Sequence, residues 1–333
     1  MRQFRYLLLL LAIVLTGCPF YGYKYPFGEL PEEVVNLEAF NSEYDDYNST
    51  APILGRLIPF CFSSNRHSEG GEFDIRYDPM NIEFSKTSGD LNVFNDYGPW
   101  NSYGQGFAML VYALSTVNTS ANELGPYLLF DRYYDTEVAS FVLMYASDEG
   151  GDFDVFFTYN EGEREFYDSQ PVAFLNSESN DLYPSLNSDY SEIYFCSDRE
   201  EGVFDIFQVA LEVEEELLVE ALADISAHEV QKNLILSSEF DDKCPFVFDS
   251  TLVFTSNRSG GYGGFDLYYS KFSEGAWGEP VNFGPTINSE YDEYRPILLE
   301  EDVDDERDMM IFSSNRPGGE GGFDLYYVGI LSN

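Results

Sequence analysis

The chain repeats itself, and a repeat of about 50 to 80 residues leaves few folds open. Ser63-Ser64-Asn65-Arg66 leads through Gly70-Gly71 to Phe73-Asp74-Ile75. Thr255-Ser256-Asn257-Arg258 leads through Gly260-Gly261 and Gly263-Gly264 to Phe265-Asp266-Leu267-Tyr268. Ser313-Ser314-Asn315-Arg316 leads through Gly318-Gly319 and Gly321-Gly322 to Phe323-Asp324-Leu325-Tyr326. Two shorter copies run from Ser197-Asp198-Arg199 to Phe204-Asp205-Ile206-Phe207 and from Ser147-Asp148-Glu149 to Phe153-Asp154-Val155-Phe156. The last has a glutamate where the others have arginine. A second element precedes the signature: Asn288-Ser289-Glu290-Tyr291-Asp292-Glu293-Tyr294 before Pro296, and Asn41-Ser42-Glu43-Tyr44-Asp45-Asp46-Tyr47 before Pro52. Weaker versions run from Asn176 to Pro184 and from Ser237 to Pro245.

The local physics is β throughout. Val253-Phe254-Thr255 and Met310-Ile311-Phe312 are short β-prone runs before the Gly-rich turn, and Phe265 to Tyr269 is another after it. Two such runs across a Gly-rich connection make a hairpin. Pro245 to Phe248 and Arg295 to Leu299 predict a strand upstream, and Ala276 to Pro280 a short, proline-ended outer strand. Four strands per unit is the size of a propeller blade. The expected fold is therefore an all-β propeller of four-stranded blades. Five blades is the direct count; six is the alternative, because the wide interval between Asp74 and Asp154 has room for a degenerate blade. The chain ends just after the Phe-Asp strand of its last copy, so residues between Tyr25 and Leu37 are expected to supply the missing outer strand and close the ring. Two segments break the rhythm. Residues 92–124 read as a long insertion, and 210–231 carry a leucine spacing compatible with either a helix or an outer strand.

The first residues read as an export signal: Arg2 and Arg5, an apolar run from Leu7 to Leu15, then Leu15-Thr16-Gly17-Cys18. The run is too short to cross a bilayer. The small residues before Cys18 resemble a lipobox, which implies cleavage after residue 17 and lipidation of Cys18. The expected organisation is a signal peptide over 1–17, a lipidated linker over 18–24 and one propeller domain over 25–333. Pro19 follows the cysteine without an Asp or an acidic tag, so the outer membrane is expected, on its periplasmic face rather than outside. A formal charge of −43 excludes a nucleic-acid partner. At 17% aromatic and 44% hydrophobic the chain is folded rather than disordered. Cys61, Cys196 and Cys244 remain, and free core thiols are expected.

These units resemble the WD-like β-propeller repeat of the TolB family and of many Bacteroidetes envelope proteins, over nearly all of the chain after Cys18. The resemblance implies blades around a central channel. For the best-known members it implies protein–protein contacts at the cell envelope.

A residue that recurs in every blade is first a fold device. Arg66, Arg199, Arg258 and Arg316, with Asp74, Asp154, Asp205, Asp266 and Asp324, are accordingly expected to be structural. Each Asp would cap its turn, and each Arg would pair with that Asp or with carbonyls of the next blade. The Tyr-Asp-Glu-Tyr stretches offer oxygen ligands for calcium, but no EF-hand spacing appears, and solvated acidic loops are the expected alternative. His67 and His228 are the only histidines, so no HExxH site can form, and there is no Gly-x-Ser-x-Gly elbow. No catalytic residue and no cofactor is therefore expected, although a carboxylate pair of the glycosidase kind stays open. The expected function is a non-catalytic, lipid-anchored platform binding an envelope protein, a peptide or a glycan. The alternative is a propeller enzyme acting on glycans or peptides.

Overall fold

The computed structural model describes residues 25, 28–52, 58–96, 107–131, 140–161, 165–211, 218–299 and 306–332. Cys18 and the signal segment lie outside them. The first strand, β1 (Val35–Asn36), belongs to the last blade. Blade 1 is β2 (Asp46–Thr50), β3 (Ile58–Ser64), β4 (Asp74–Phe84) and β5 (Leu91–Phe94). Helix α1 (Ala108–Val117) leads to blade 2: β6 (Glu123–Asp131), β7 (Ser140–Ser147), β8 (Asp154–Glu161) and β9 (Glu165–Pro171). Blade 3 is β10 (Asp181–Leu186), β11 (Glu192–Ser197), β12 (Asp205–Ala210) and β13 (Gln231–Lys232), with helix α2 (Leu218–Leu222) before its outer strand. Blade 4 is β14 (Asp242–Phe248), β15 (Thr251–Ser256), β16 (Asp266–Ser273) and β18 (Val281–Asn282), while β17 (Ala276–Trp277) only extends the far end of β16. Blade 5 is β19 (Glu293–Leu299), β20 (Arg307–Ser314), β21 (Asp324–Leu331) and β1.

This is a five-bladed propeller. The inner strands β2, β6, β10, β14 and β19 touch in that order, and β19 meets β2 to complete the ring. Closure comes from the N-terminal segment as expected: Val35 pairs with Tyr327 and Asn36 with Tyr326. No sixth blade is formed from the segment between Asp74 and Asp154; the described part of it holds β5, α1 and β6. Segment 210–231 contains both a helix and an outer strand.

Each blade is tied to the one before it by the upstream sequence element, which explains why the two halves of the repeat travel together. Its first residue clasps the aliphatic position after Phe-Asp in the preceding blade. Asn41 accepts from Leu325 N–H (2.8 Å) and donates to Leu325 C=O (2.9 Å). Asn176 does the same at Val155, Asn288 at Leu267 and Ser237 at Ile206. Its fifth residue accepts from the backbone N–H of the preceding motif phenylalanine: Asp45 from Phe323, Asn180 from Phe153, Asp241 from Phe204, Asp292 from Phe265. The glycines follow from this packing. A Cβ on Gly263 would lie 2.1 Å from Tyr291 O, and one on Gly321 1.9 Å from Tyr44 O.

One copy of that element is invisible by inspection. Asn118-Thr119-Ser120-Ala121-Asn122-Glu123 occupies the same place before blade 2. Asn118 clasps Ile75 and Asn122 accepts from Phe73 N–H. The insertion expected over 92–124 is thus shorter: β5 and residues 118–124 belong to the repeat.

Candidate functional site

The arginines do not pair with the Phe-Asp aspartates or with the next blade. This corrects the expected pairing. Each guanidinium turns back to the acid that opens its own inner strand, and to the carbonyl just before its own upstream element. Arg66 bonds Asp46 and Phe40 C=O, Arg199 bonds Asp181 and Leu175 C=O, Arg258 bonds Asp242 (2.5 Å) and Leu236 C=O (2.7 Å), and Arg316 bonds Glu293 (2.8 Å) and Ile287 C=O (2.7 Å). Aromatic rings hold the guanidinium flat, as where Arg258 sits 5.1 Å from Phe254 and 5.0 Å from Tyr268. The acids are fully buried rather than part of solvated loops. Among the described residues no cluster of His, Cys, Asp or Glu suited to a metal is formed.

Breaking such a pair leaves a buried carboxylate uncompensated. Arg258→Met is expected to cost about 3 kcal/mol, read as a lower midpoint in urea unfolding. A shift below about 0.5 kcal/mol, the size typical of surface pairs, would remove the pair from the blade's stability.

Three of the Phe-Asp aspartates, Asp205, Asp266 and Asp324, have partners of their own, whereas Asp154 Oδ1 is buried without one among the described residues. Asp266 accepts from Tyr262 N–H (2.7 Å) and Gly263 N–H (3.0 Å), and Asp324 accepts from Glu320 N–H (2.9 Å), so both cap their turns. The outer strand adds a further contact, Lys232 to Asp205 (2.5 Å) and Asn282 to Asp266 (2.8 Å).

Two of these restraints are missing at one place, the junction of blades 1 and 2. Strand β5 pairs with β4 only at its far end, Asn81 to Phe84, so no outer strand covers Asp74 to Tyr77. Nothing among the described residues hydrogen-bonds the Asp74 carboxylate. Across the junction, Glu123 is the fifth inner-strand acid, and its arginine is replaced by Glu149. The aromatic clamp for that arginine survives: Tyr145 and Phe156 stack with centroids 5.9 Å apart, as Phe254 and Tyr268 do at 5.8 Å. Glu123 is held instead by Thr119 N–H (3.1 Å), the Thr119 hydroxyl (2.8 Å) and the Ser147 hydroxyl (3.1 Å).

The space left by the displaced strand is a cleft of about 360 Å³. Asp74, Arg66, His67, Arg76 and Tyr77 line its blade side, and Val111, Leu114, Ser115 and Asn118 its α1 side. Arg66 is committed to Asp46, and Arg76 to Asp78 (2.7 and 3.0 Å). Burial pushes the Asp74 carboxyl above the usual carboxylate range, with His67 opposing and Glu72 adding. Burial also raises Glu123, against its three donors, and the Asp74 charge adds to the rise. Tyr145, raised to about 12 mainly by burial, feels both Glu123 and Glu149. Asp74 and Glu123 therefore feel each other's charge across the junction, and Glu149 acts on the same Tyr145 as Glu123, while neither glutamate lines the cleft itself. Burial raises Asp154, Asp205 and Asp324 too; what sets Asp74 apart is its open cleft.

No family model matches the chain, and no curated protein matches it in sequence. Solved structures do resemble it in fold. One is a glycoside hydrolase, at a TM-score of 0.51 and 8% identity over 92% of each protein. A second is the Bacteroides ovatus xyloglucan PUL protein GH43B, at 0.50 and 13%, over 90% of this protein and 55% of that one. The likeness to TolB-type envelope proteins thus carries the five-bladed fold and no more. The expectations of a non-catalytic platform and of no enzyme are corrected here. The propellers that share the fold include a glycoside hydrolase, and Asp74, expected to be only structural, lines an open cleft with no hydrogen bond to its carboxylate among the described residues.

Proposed function

We propose that the protein is a propeller enzyme acting on glycans, working from the cleft between blades 1 and 2, with Cys18 as its lipid anchor at the outer membrane. One observation carries this reading: the repeat gives up two restraints, the outer strand over Asp74 and the arginine on Glu123, at the same junction. Glycoside hydrolysis needs two carboxyl groups in different protonation states. Asp74, half-buried and without a hydrogen-bond donor among the described residues, keeps its proton to higher pH and is placed to pass it to the glycosidic oxygen. The exposed Glu149 can take the proton of the attacking water. Glu123, buried behind them, holds negative charge near Asp74 and so favours the protonated acid.

Asp74→Asn should lower turnover of the glycan that the protein cleaves by about 10²- to 10⁴-fold. Asp154→Asn, the same motif position outside the cleft, should leave it unchanged. Equal losses in both variants would return Asp74 to a structural role. The wild-type rate should fall as pH rises through the elevated Asp74 value. The sign for stability agrees: an acid raised in the folded state favours folding below its unfolded value, roughly 4, and that contribution disappears as pH rises through the folded one.

A further inference from the structure

Near the axis of the propeller lie two cations that form no ion pair with a carboxylate among the described residues. The third residue of every inner strand lies at a bulge with positive φ: Asn48 (54°), Gly125 (60°), Tyr183 (58°), Cys244 (56°) and Arg295 (48°). These residues meet on the axis. The Tyr183 ring fills the place of a Gly125 side chain, whose Cβ would lie 2.3 Å from it. Asn48 donates to the Tyr183 hydroxyl (3.2 Å), and the Arg295 guanidinium lies 5.4 Å from the Tyr183 ring centre. Arg295 is fully buried; among the described residues its guanidinium donates to Pro245 C=O (3.4 Å) and Pro126 C=O (3.3 Å) alone, and its Nε has no partner. A buried guanidinium without a carboxylate is costly.

A second cation stands next to it. Lys243, one residue before Cys244, is half-buried, with Nζ 3.9 Å from the Phe204 ring centre and 5.5 Å from that of Phe265. No carboxylate among the described residues pairs with it, in a chain with 60 acidic residues. Arg295 and Lys243 act on the same two thiols, Cys196 and Cys244, and burial keeps both thiols protonated, so they supply no counter-charge. Asp241 and Asp292 border the site, but each is held by a motif phenylalanine N–H. Phe204 and Phe265 are two of the five motif phenylalanines, which with Phe73, Phe153 and Phe323 are all half-exposed. Tyr47 and Tyr294 link several of them: Tyr47 lies 5.9 Å from Phe73 and 5.1 Å from Phe323, and Tyr294 lies 5.0 Å from Phe265. The result is an aromatic collar with an ammonium group against two of its rings.

We infer that this collar is a subsite for an acidic sugar, with the rings against the pyranose face and Lys243, backed by Arg295, taking the carboxylate. Aromatic faces suit the C–H surface of a sugar ring, and a partly desolvated ammonium favours an anion. The inference rests on the glycan reading above and narrows it to uronic acid-containing chains.

Titration calorimetry with trigalacturonate tests it, with its methyl ester as the neutral arm and sulfate as the free-anion arm. Trigalacturonate should bind, the ester at least tenfold more weakly, and Lys243→Met should weaken trigalacturonate at least tenfold with an unchanged melting curve. Phe204→Leu should weaken the sugar acid but not sulfate. Equal binding of acid and ester, or no effect of Lys243→Met, would overturn the subsite; sulfate binding as tightly as trigalacturonate would reduce it to a simple anion site and overturn the sugar. Asp74→Asn should leave trigalacturonate binding intact. Binding without cleavage of any glycan would then sink the enzyme reading alone, and cleavage of neutral glycans without trigalacturonate binding would sink this inference alone.

Discussion

Glu149→Arg is expected to yield a protein that is more stable and no longer active. The site for the arginine is already built in blade 2. Tyr145 and Phe156 stack as the clamp, the Glu149 N–H still donates to the Ser147 hydroxyl (3.3 Å), and Glu123 waits without a cation. By analogy with the four intact blades, the new guanidinium should reach Glu123 and the Val117 carbonyl, the residue before Asn118. Charge-assisted hydrogen bonds of this kind contribute about 1.5–3 kcal/mol each at most, so the unfolding midpoint should rise measurably. The same change removes an exposed carboxylate, neutralises a buried one and brings a cation to the junction. Glycan turnover should fall by at least about 10²-fold. Glu149→Gln is the control, expected to lose activity without gaining stability. Full activity in the stabilised arginine variant would show that the junction carboxylates take no part in chemistry.

The second large effect concerns closure. Deleting residues 28–37 should destroy cooperative unfolding or lower the melting temperature by more than about 10 °C. The segment pairs β1 with β21, bonds Leu37 N–H to Leu325 C=O (2.9 Å) and receives Gly329 N–H at Pro31 C=O (2.8 Å). It also buries Leu30 and Leu37, at 2% and 3% exposure. Each buried leucine contributes about 2–3 kcal/mol, against a total stability of about 5–15 kcal/mol. The deletion leaves β21 as an open edge, which invites pairing between molecules. Light scattering should therefore report aggregation, and a monomer with an unchanged melting curve would show that the ring is held elsewhere.

Much of the fold is legible along the chain because its cues are local. A β-prone run, a Gly-rich turn and a second run make a hairpin within about 20 residues, and five such hairpins predict five blades. The outer strand expected from residues between Tyr25 and Leu37 is found as β1, which pairs with β21. The Arg-less copy at Glu149 can be seen by aligning the repeats, although its meaning cannot. The copy at Asn118 to Glu123 escapes notice because Thr119, Ser120, Ala121 and Asn122 replace the Ser, Glu, Tyr and Asp of the clear copies, while the clasp needs only a side chain that both donates and accepts at the first position and an acceptor oxygen at the fifth.

The linear order of residues was enough to point to a propeller, to favour five blades over six and to point to closure by the N-terminal segment; the ring of inner strands decided the number. Packing in three dimensions was needed to show what the recurring arginines hold, that β5 leaves Asp74 uncovered, and that Arg295 and Lys243 share the axis. The physical reason is distance along the chain. Hairpins are written within one repeat, whereas Arg295 bonds the carbonyl of Pro126, and Glu123 meets Asp74 only because two blades pack side by side. The repeat unit states how each blade is built; its lapses become a site only when the ring brings two of them together.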